Sequence, residues 1–229
     1  HEINGSEWIP QFGLSFIPSA ATTVKAIVSK GFRNPNIREM YMFPPRNPDL
    51  LPERLMNYEL SFMQSLFEDR LNLGLNLFYI KGENMIQVQM VEGRPLNTNT
   101  GEVENKGFEI SADYRFSPSL QLSANYSLLD MTYKIVGAPE HKLYTSVNYT
   151  KNRWALSTGL QYIGNLYTAV KPEPVKDNFV LWNARANYQA IDWLSLFLKG
   201  ENLLGQEYEI NAGYPMPKTT LFGGIRLDF

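Results

Sequence analysis

Few side chains in this sequence could do covalent chemistry. The only histidines are His1 and His141, and there is no cysteine. That removes thiol nucleophiles, disulfides and thiolate metal sites together. A Ser-His-Asp arrangement would have to use His141, which stands beside Pro139-Glu140 with no nucleophile motif near it, so no catalytic residue is expected. No zinc-like spacing and no glycine-rich phosphate loop occurs, so neither a metal site nor a bound cofactor is predicted. What remains is recognition chemistry. Arg33, Arg38, Arg46 and Arg94 lie at or within long Pro- and Asn-rich stretches and could grip an anionic ligand through paired N–H donors. Tyr41, Phe43 and Tyr214 could stack on such a ligand. The plainer alternative is that these arginines are solvated or pair with neighbours such as Glu39 and Asp49. Met40, Met42, Met85 and Met90 are soft ligands suited to Cu(I), although methionine more often fills irregular space in loops.

These residues need a scaffold, and the scaffold is written in strands. Apolar and polar residues alternate in Leu71-Asn72-Leu73-Gly74-Leu75-Asn76-Leu77 and in Leu120-Gln121-Leu122-Ser123-Ala124-Asn125-Tyr126. Period two gives each strand one apolar and one polar face. Similar runs near 11–17, 22–32, 55–67, 107–116, 142–150, 154–167, 179–188, 193–202 and 219–229 bring the total to about eleven strands, with no convincing helix. Tight turns are expected near Pro18-Ser19, Glu68-Asp69-Arg70, Ser117-Pro118-Ser119, Lys151-Asn152-Arg153 and Ala190-Ile191-Asp192. Long links at 34–51, 84–104, 130–140, 168–177 and 211–217 alternate with them. Short turns at one end and long loops at the other are the pattern of an antiparallel transmembrane β-barrel, with the short turns periplasmic and the long loops extracellular.

Composition agrees with that reading. A mean hydropathy of −0.28 is what alternation produces, and no stretch approaches the roughly 20 apolar residues of a spanning helix. Aromatic residues make up 13% of the chain and gather beside the short turns, as in Arg153-Trp154 and Asp192-Trp193, where an interfacial girdle would sit. A net charge of −2 gives no bulk attraction to nucleic acid, which is not an expected partner. Extending the alternation, Phe108, Ile110, Ala112, Tyr114 and Phe116 face lipid, as do Trp154, Leu156, Leu160 and Tyr162. Arg33, Lys199, Glu201, Arg226 and Asp228 are assigned to the lumen wall, because a charge on the lipid face at mid-membrane would cost about 2–4 kcal/mol.

Three stretches resemble one family. Gly31-Phe32-Arg33-Asn34-Pro35 followed by Asn47-Pro48-Asp49-Leu50-Leu51-Pro52-Glu53 resembles the strand-to-loop passage of TonB-dependent receptors. Glu104-Asn105-Lys106-Gly107-Phe108-Glu109 is similar to the family's strand re-entry. Glu201-Asn202-Leu203-Leu204-Gly205-Gln206-Glu207-Tyr208, Gly213-Tyr214-Pro215 and the terminal Phe229 resemble its C-terminal end. The resemblance implies an outer-membrane importer of a scarce nutrient in a Gram-negative bacterium. The foremost ligand class is an iron chelate, siderophore or heme, with cobalamin or a glycan as alternatives. It also implies partners: the outer-membrane bilayer, the barrel-assembly machinery reading Phe229, and an inner-membrane TonB complex acting through an N-terminal plug. On this reading residues 1–229 are the C-terminal portion of the barrel, with the plug and first half of the barrel absent, since plugged transporters have about 22 strands. The opening His1-Glu2-Ile3-Asn4 shows no export signal, which is expected to have been removed. A non-transport outer-membrane barrel, a surface-binding protein and a soluble β-sandwich are the rival readings.

Overall fold

The computed structural model describes residues 7–42, 45–99, 101–170 and 172–227. In chain order its strands are β1 (Gln11–Ser19), β2 (Thr22–Arg33), β3 (Glu53–Leu66), β4 (Leu71–Glu83), β5 (Ile86–Val91), β6 (Arg94–Asn99), β7 (Val103–Ser117) and β8 (Leu120–Met131). They continue with β9 (Pro139–Lys151), β10 (Trp154–Ala169), β11 (Val175–Ile191), β12 (Leu194–Glu201), β13 (Glu209–Asn211), β14 (Tyr214–Pro215) and β15 (Thr220–Leu227). Eleven of them form one sheet in the order β1-β2-β3-β4-β7-β8-β9-β10-β11-β12-β15, antiparallel at every step. The expected eleven-stranded antiparallel architecture is therefore present, and each strand pairs with its nearest large neighbour in sequence.

Register carries the alternation across the whole sheet. One transverse row pairs Phe16, Val24, Phe62, Leu75, Ile110, Tyr126, Leu143, Tyr162 and Val180 in succession. The row beside it pairs Ser15, Lys25, Ser61, Asn76, Glu109, Ser127, Lys142 and Ile163. A one-residue slip of any strand would exchange the two sets, so the pattern fixes register strongly. The result is one apolar and one predominantly polar face.

The apolar face is uncovered. Leu160, Leu198 and Ile225 on it are 47%, 59% and 66% exposed, and contiguous apolar exposure of this kind marks a surface that meets another apolar phase or partner. Aromatic residues edge this face at both ends. Trp154 packs on Tyr188 with ring centres 4.6 Å apart and Trp193 stands exposed at the short-turn end, while Tyr58 meets Tyr79 at 6.0 Å and Phe108 meets Tyr126 at 5.8 Å toward the long loops. Buried apolar side chains lie mostly at the long-loop end, where Ile163, Leu166 and Phe179 pack with Leu181 and Tyr208.

The structure differs from the sequence expectation in four places. The 84–104 link holds a hairpin, β5 and β6, turned by Glu92 and Gly93 at φ 50° and 78°. Two successive left-handed residues suit a tight hairpin, but Glu-Gly lacks the Asn or Asp that usually announces one. A single π-helical turn, Arg38–Met42, occupies the first long link, too short to show helical periodicity. The first tight turn falls at Ala20-Ala21 rather than Pro18-Ser19, because Ser19 pairs with Thr22 after a register shift that accommodates Pro18 on the edge strand. The last long link spans 202–219 and contains β13 and β14.

Gly107 marks a close approach. A Cβ there would stand 2.0 Å from the Leu128 carbonyl oxygen and 2.6 Å from the Phe78 ring, which lies over the glycine from the neighbouring strand. Overfilling a packed position costs about 1–3 kcal/mol, so Gly107→Ala is expected to lower the thermal unfolding midpoint measurably, whereas Gly101→Ala, with open space around it, should not.

Candidate ligand-facing loops and inner wall

At the long-loop end the first loop and the β5–β6 hairpin are tied together around Glu53. This carboxylate is 5% exposed and accepts from Arg33 Nε at 2.5 Å and from the Ile86 backbone N–H at 2.8 Å. Arg33 Nη1 also donates to Glu39 at 2.9 and 3.0 Å. Glu39 and Asn36 close a reciprocal cap, each side chain accepting from the other's backbone N–H at 2.9 Å, which starts the turn Arg38–Met42. Asparagines complete the tie. Asn47 Nδ2 donates to the Asn97 carbonyl at 2.8 Å, and Asn97 Nδ2 to the Glu39 carbonyl at 2.8 Å. Asn99 accepts from Leu51 N–H at 2.8 Å and donates back to the Leu51 carbonyl at 2.9 Å.

The last loop is organised by Asn202, a buried residue at φ 48°. Its amide donates to the carbonyls of Gln206 at 2.8 Å and Pro217 at 3.1 Å, and its Oδ1 accepts from Gln206 N–H at 2.9 Å. Tyr208 then packs its ring 4.3 Å from Phe179. Burial, with the Glu201 charge adding to it, raises the Tyr208 hydroxyl above its ordinary value. In the same loop the Lys218 ammonium bonds Glu207 and holds that carboxyl below the usual range. Between these two ends, Glu140 gathers Tyr167 Oη at 2.6 Å, Asn165 Nδ2 at 2.8 Å, Lys176 Nζ at 3.3 Å and Lys134 Nζ at 3.4 Å. Neither this cluster nor the asparagine ties carried a local sequence signal, since their partners are far apart in the chain.

The structure distributes the anticipated residues among three roles. Arg38 and Tyr41 lie exposed on the turn Arg38–Met42, Arg46 is exposed just beyond it, Arg94 opens β6 at the hairpin tip, and Tyr214 is 74% exposed in β14. Arg33 sits at the loop end of the polar face, engaged by two carboxylates. Lys199 and Glu201 pair with each other on the polar face, and Arg226 lies there opposite Ser195. Phe43, Asp228, Phe229 and His1 lie outside the described residues. His141 Nδ1 is 2.8 Å from the Tyr126 hydroxyl and its ring stacks on that tyrosine, a structural engagement at the edge of the apolar face. No group of three or more metal-ligating His, Cys, Asp or Glu side chains occurs among the described residues.

An eleven-stranded antiparallel meander with one apolar face, one polar face, five tight turns and elaborated loops at a single end has the form of barrel wall. Residues 1–203 match the family model described as TonB dependent receptor-like, beta-barrel. The chain belongs to this family of TonB-dependent receptor barrels. The family is one of receptors and transporters. A vitamin B12 transporter of Photobacterium profundum is 22% identical over 96% of the chain, and the ferripyoverdine receptor of Pseudomonas aeruginosa is 24% identical over 80%. The chain spans 37% and 26% of those two relatives, respectively. Among solved structures, the Pseudomonas aeruginosa ferripyoverdine receptor superposes with a TM-score of 0.77 at 20% identity, covering 96% of this chain and 33% of that one. A ferric enterobactin receptor of the same organism superposes with a TM-score of 0.81 at 18% identity, covering 100% and 42%.

Within this family fold, the Glu53 tie has a direct consequence. Removing a buried carboxylate that accepts from a guanidinium and a backbone N–H forfeits charge-assisted hydrogen bonds worth about 1.5–3 kcal/mol, less the screening at the half-exposed arginine. Glu53→Ala should therefore speed amide hydrogen exchange at Ile86 and across 34–52 together, while Glu92→Ala, at the exposed hairpin tip, should leave both unchanged.

Proposed function

We propose that this chain is the C-terminal part of an outer-membrane TonB-dependent receptor that imports an iron chelate, bound at the extracellular loops and admitted past a plug. The observation that carries the proposal is the braced loop assembly. Two loops tied through Glu53, Asn97 and Asn99 hold Arg38, Tyr41, Arg46 and Arg94 on one framework, and the last loop presents Tyr214 from a base built on Asn202. Exposed guanidinium and aromatic groups on a hydrogen-bonded base suit an anionic, ring-bearing ligand, because loops already tied together need little further ordering on binding. Phe43 joins this set by its place in the sequence. The relatives named for ferripyoverdine and ferric enterobactin support the chelate class.

On this reading the apolar face meets the bilayer, the aromatic bands lie at its two interfaces and the polar face lines the lumen. Arg33, Lys199, Glu201 and Arg226 belong to that inner side, to which the sequence alternation also assigns Asp228. Phe229 is the residue that the barrel-assembly machinery would read, and the TonB complex would act through the N-terminal part of the receptor. Import of cobalamin is a second reading, favoured by the vitamin B12 transporters that match over nearly the whole chain at 22–26% identity.

The two are separated by uptake in cells carrying the full-length receptor, with iron-labelled chelate and labelled cobalamin offered in parallel. Chelate uptake that depends on an energised inner membrane is expected, and cobalamin uptake alone would transfer the assignment to the second reading. In purified full-length receptor, Arg94→Ala and Tyr214→Ala should each weaken chelate binding about tenfold, the scale of one lost anchoring contact of roughly 1.4 kcal/mol.

A further inference from the structure

The apolar face changes character abruptly near its long-loop end. Leu60, Leu77, Phe108 and Leu128 are successive partners in one transverse row of that face. The next row toward the loops reads Tyr58, Tyr79, Lys106 and Asp130, and the one after it Met56, Lys81 and Glu104. Apolar, aromatic and charged side chains thus follow one another within three rows, which is the order of a membrane interface.

Several charges at this level are already engaged. Lys30 bonds Glu7 at 3.1 Å, Lys81 bonds Glu102 at 2.8 Å, and the Tyr79 hydroxyl bonds Glu104. Lys106 differs. It is 63% exposed, and Asp130 lies 3.7 Å from its ammonium, outside hydrogen-bond range. The Lys134 ammonium stands 3.8 Å from the other oxygen of the same carboxylate. Lys134 is held by Glu140 at 3.4 Å and lies over the Tyr167 ring, 5.7 Å from its centre. Two ammoniums are therefore gathered at one place, each with donors to spare. Tyr133, Ile135 and Val136, next to Lys134 in the chain, are 38%, 57% and 38% exposed and add apolar surface beside the cations.

A phosphate offers acceptors on several oxygens and can take hydrogen bonds from both ammoniums at once, which the carboxylate between them does not. Basic groups bordered by apolar side chains, one row above an apolar sheet face, fit a phosphate that is attached to hydrocarbon. We propose that Lys106 and Lys134 form a seat for the headgroup phosphate of an outer-leaflet lipid, whose acyl chains lie along Phe108 and Leu128 below. This rests on the receptor reading above, which puts the apolar face in the bilayer and the long loops outside. Asp130 holds the two cations together in the empty seat and opposes the phosphate once it is filled.

The test is lipid retention by the full-length receptor in neutral detergent, read by native mass spectrometry as lipid A, the same lipid stripped of its phosphates, or inorganic phosphate is added. Lipid A should bind at least about tenfold more tightly than its dephosphorylated form. Lys106→Gln and Lys134→Gln should each weaken lipid A binding about fivefold, and the double variant about thirtyfold, the scale of one surface lysine apiece. Asp130→Asn should tighten it, a result that a purely structural ion pair would not give. Lys142→Gln, on the polar face, should match the wild type. A double variant that retains lipid A as the wild type does, or equal retention of the dephosphorylated lipid, overturns the seat. Inorganic phosphate that displaces lipid A at equal concentration assigns the cations to a free anion and overturns the headgroup. A full-length receptor that stays monodisperse without detergent would overturn the membrane reading itself, whatever the lysine variants do.

Discussion

A sheet that exposes one continuous apolar face can persist only where water does not reach that face, and only if each backbone N–H and C=O finds its partner on an adjacent strand. Both demands fall on register. In the row from Phe16 to Val180, nine strands contribute an apolar residue at matching height, while the adjoining row from Ser15 to Ile163 is polar until its last member. Because side chains repeat with period two, a slip of one residue would drive Lys25, Glu109 and Lys142 onto the apolar side. In hydrocarbon each such lysine would cost about 2–4 kcal/mol near the midplane, and the glutamate less. Register, apolar face and polar face are thus one constraint seen from three sides.

At the loop end the same demand for partners appears in a different form. Residues of the family-like stretches are largely architectural. Glu53 joins the start of β3 to Arg33 and Ile86, Asn202 holds both ends of the last loop, and Gly107 makes room for Phe78. The residues proposed to read the ligand stand between these fixed points, on surfaces that the ties leave exposed.

The strands were legible in the sequence because alternation is a local property. Leu71 to Leu77 and Leu120 to Tyr126 state their faces without reference to any other segment. The loop interior was less legible for physical reasons. The β5–β6 hairpin turns on Glu92-Gly93, a weaker signal than Asn-Gly, and the π turn is five residues long. Arg33 could be placed on the inner side by alternation and Glu39, six residues on, was an anticipated partner, but nothing local chooses Glu53, 20 positions away. Asn97 and Asn99 bond residues 58 and 48 positions away, and no pattern of spacing announces such partners.

Residues 1–229 contain no cysteine, so single cysteines can report on the central claim in a receptor whose other cysteines, if any, are replaced. Single cysteines at Gln121, Leu122, Gln161 and Leu160, spin-labelled in the full-length receptor within a bilayer, can be read for collision with a lipid-soluble and a water-soluble relaxation agent. The account predicts that labels at Leu122 and Leu160 meet the lipid-soluble agent, and that those at Gln121 and Gln161 are shielded from it. Equal access of both agents at neighbouring positions, or lipid access at Gln121 and Gln161, would contradict the assignment of faces on which the barrel reading stands.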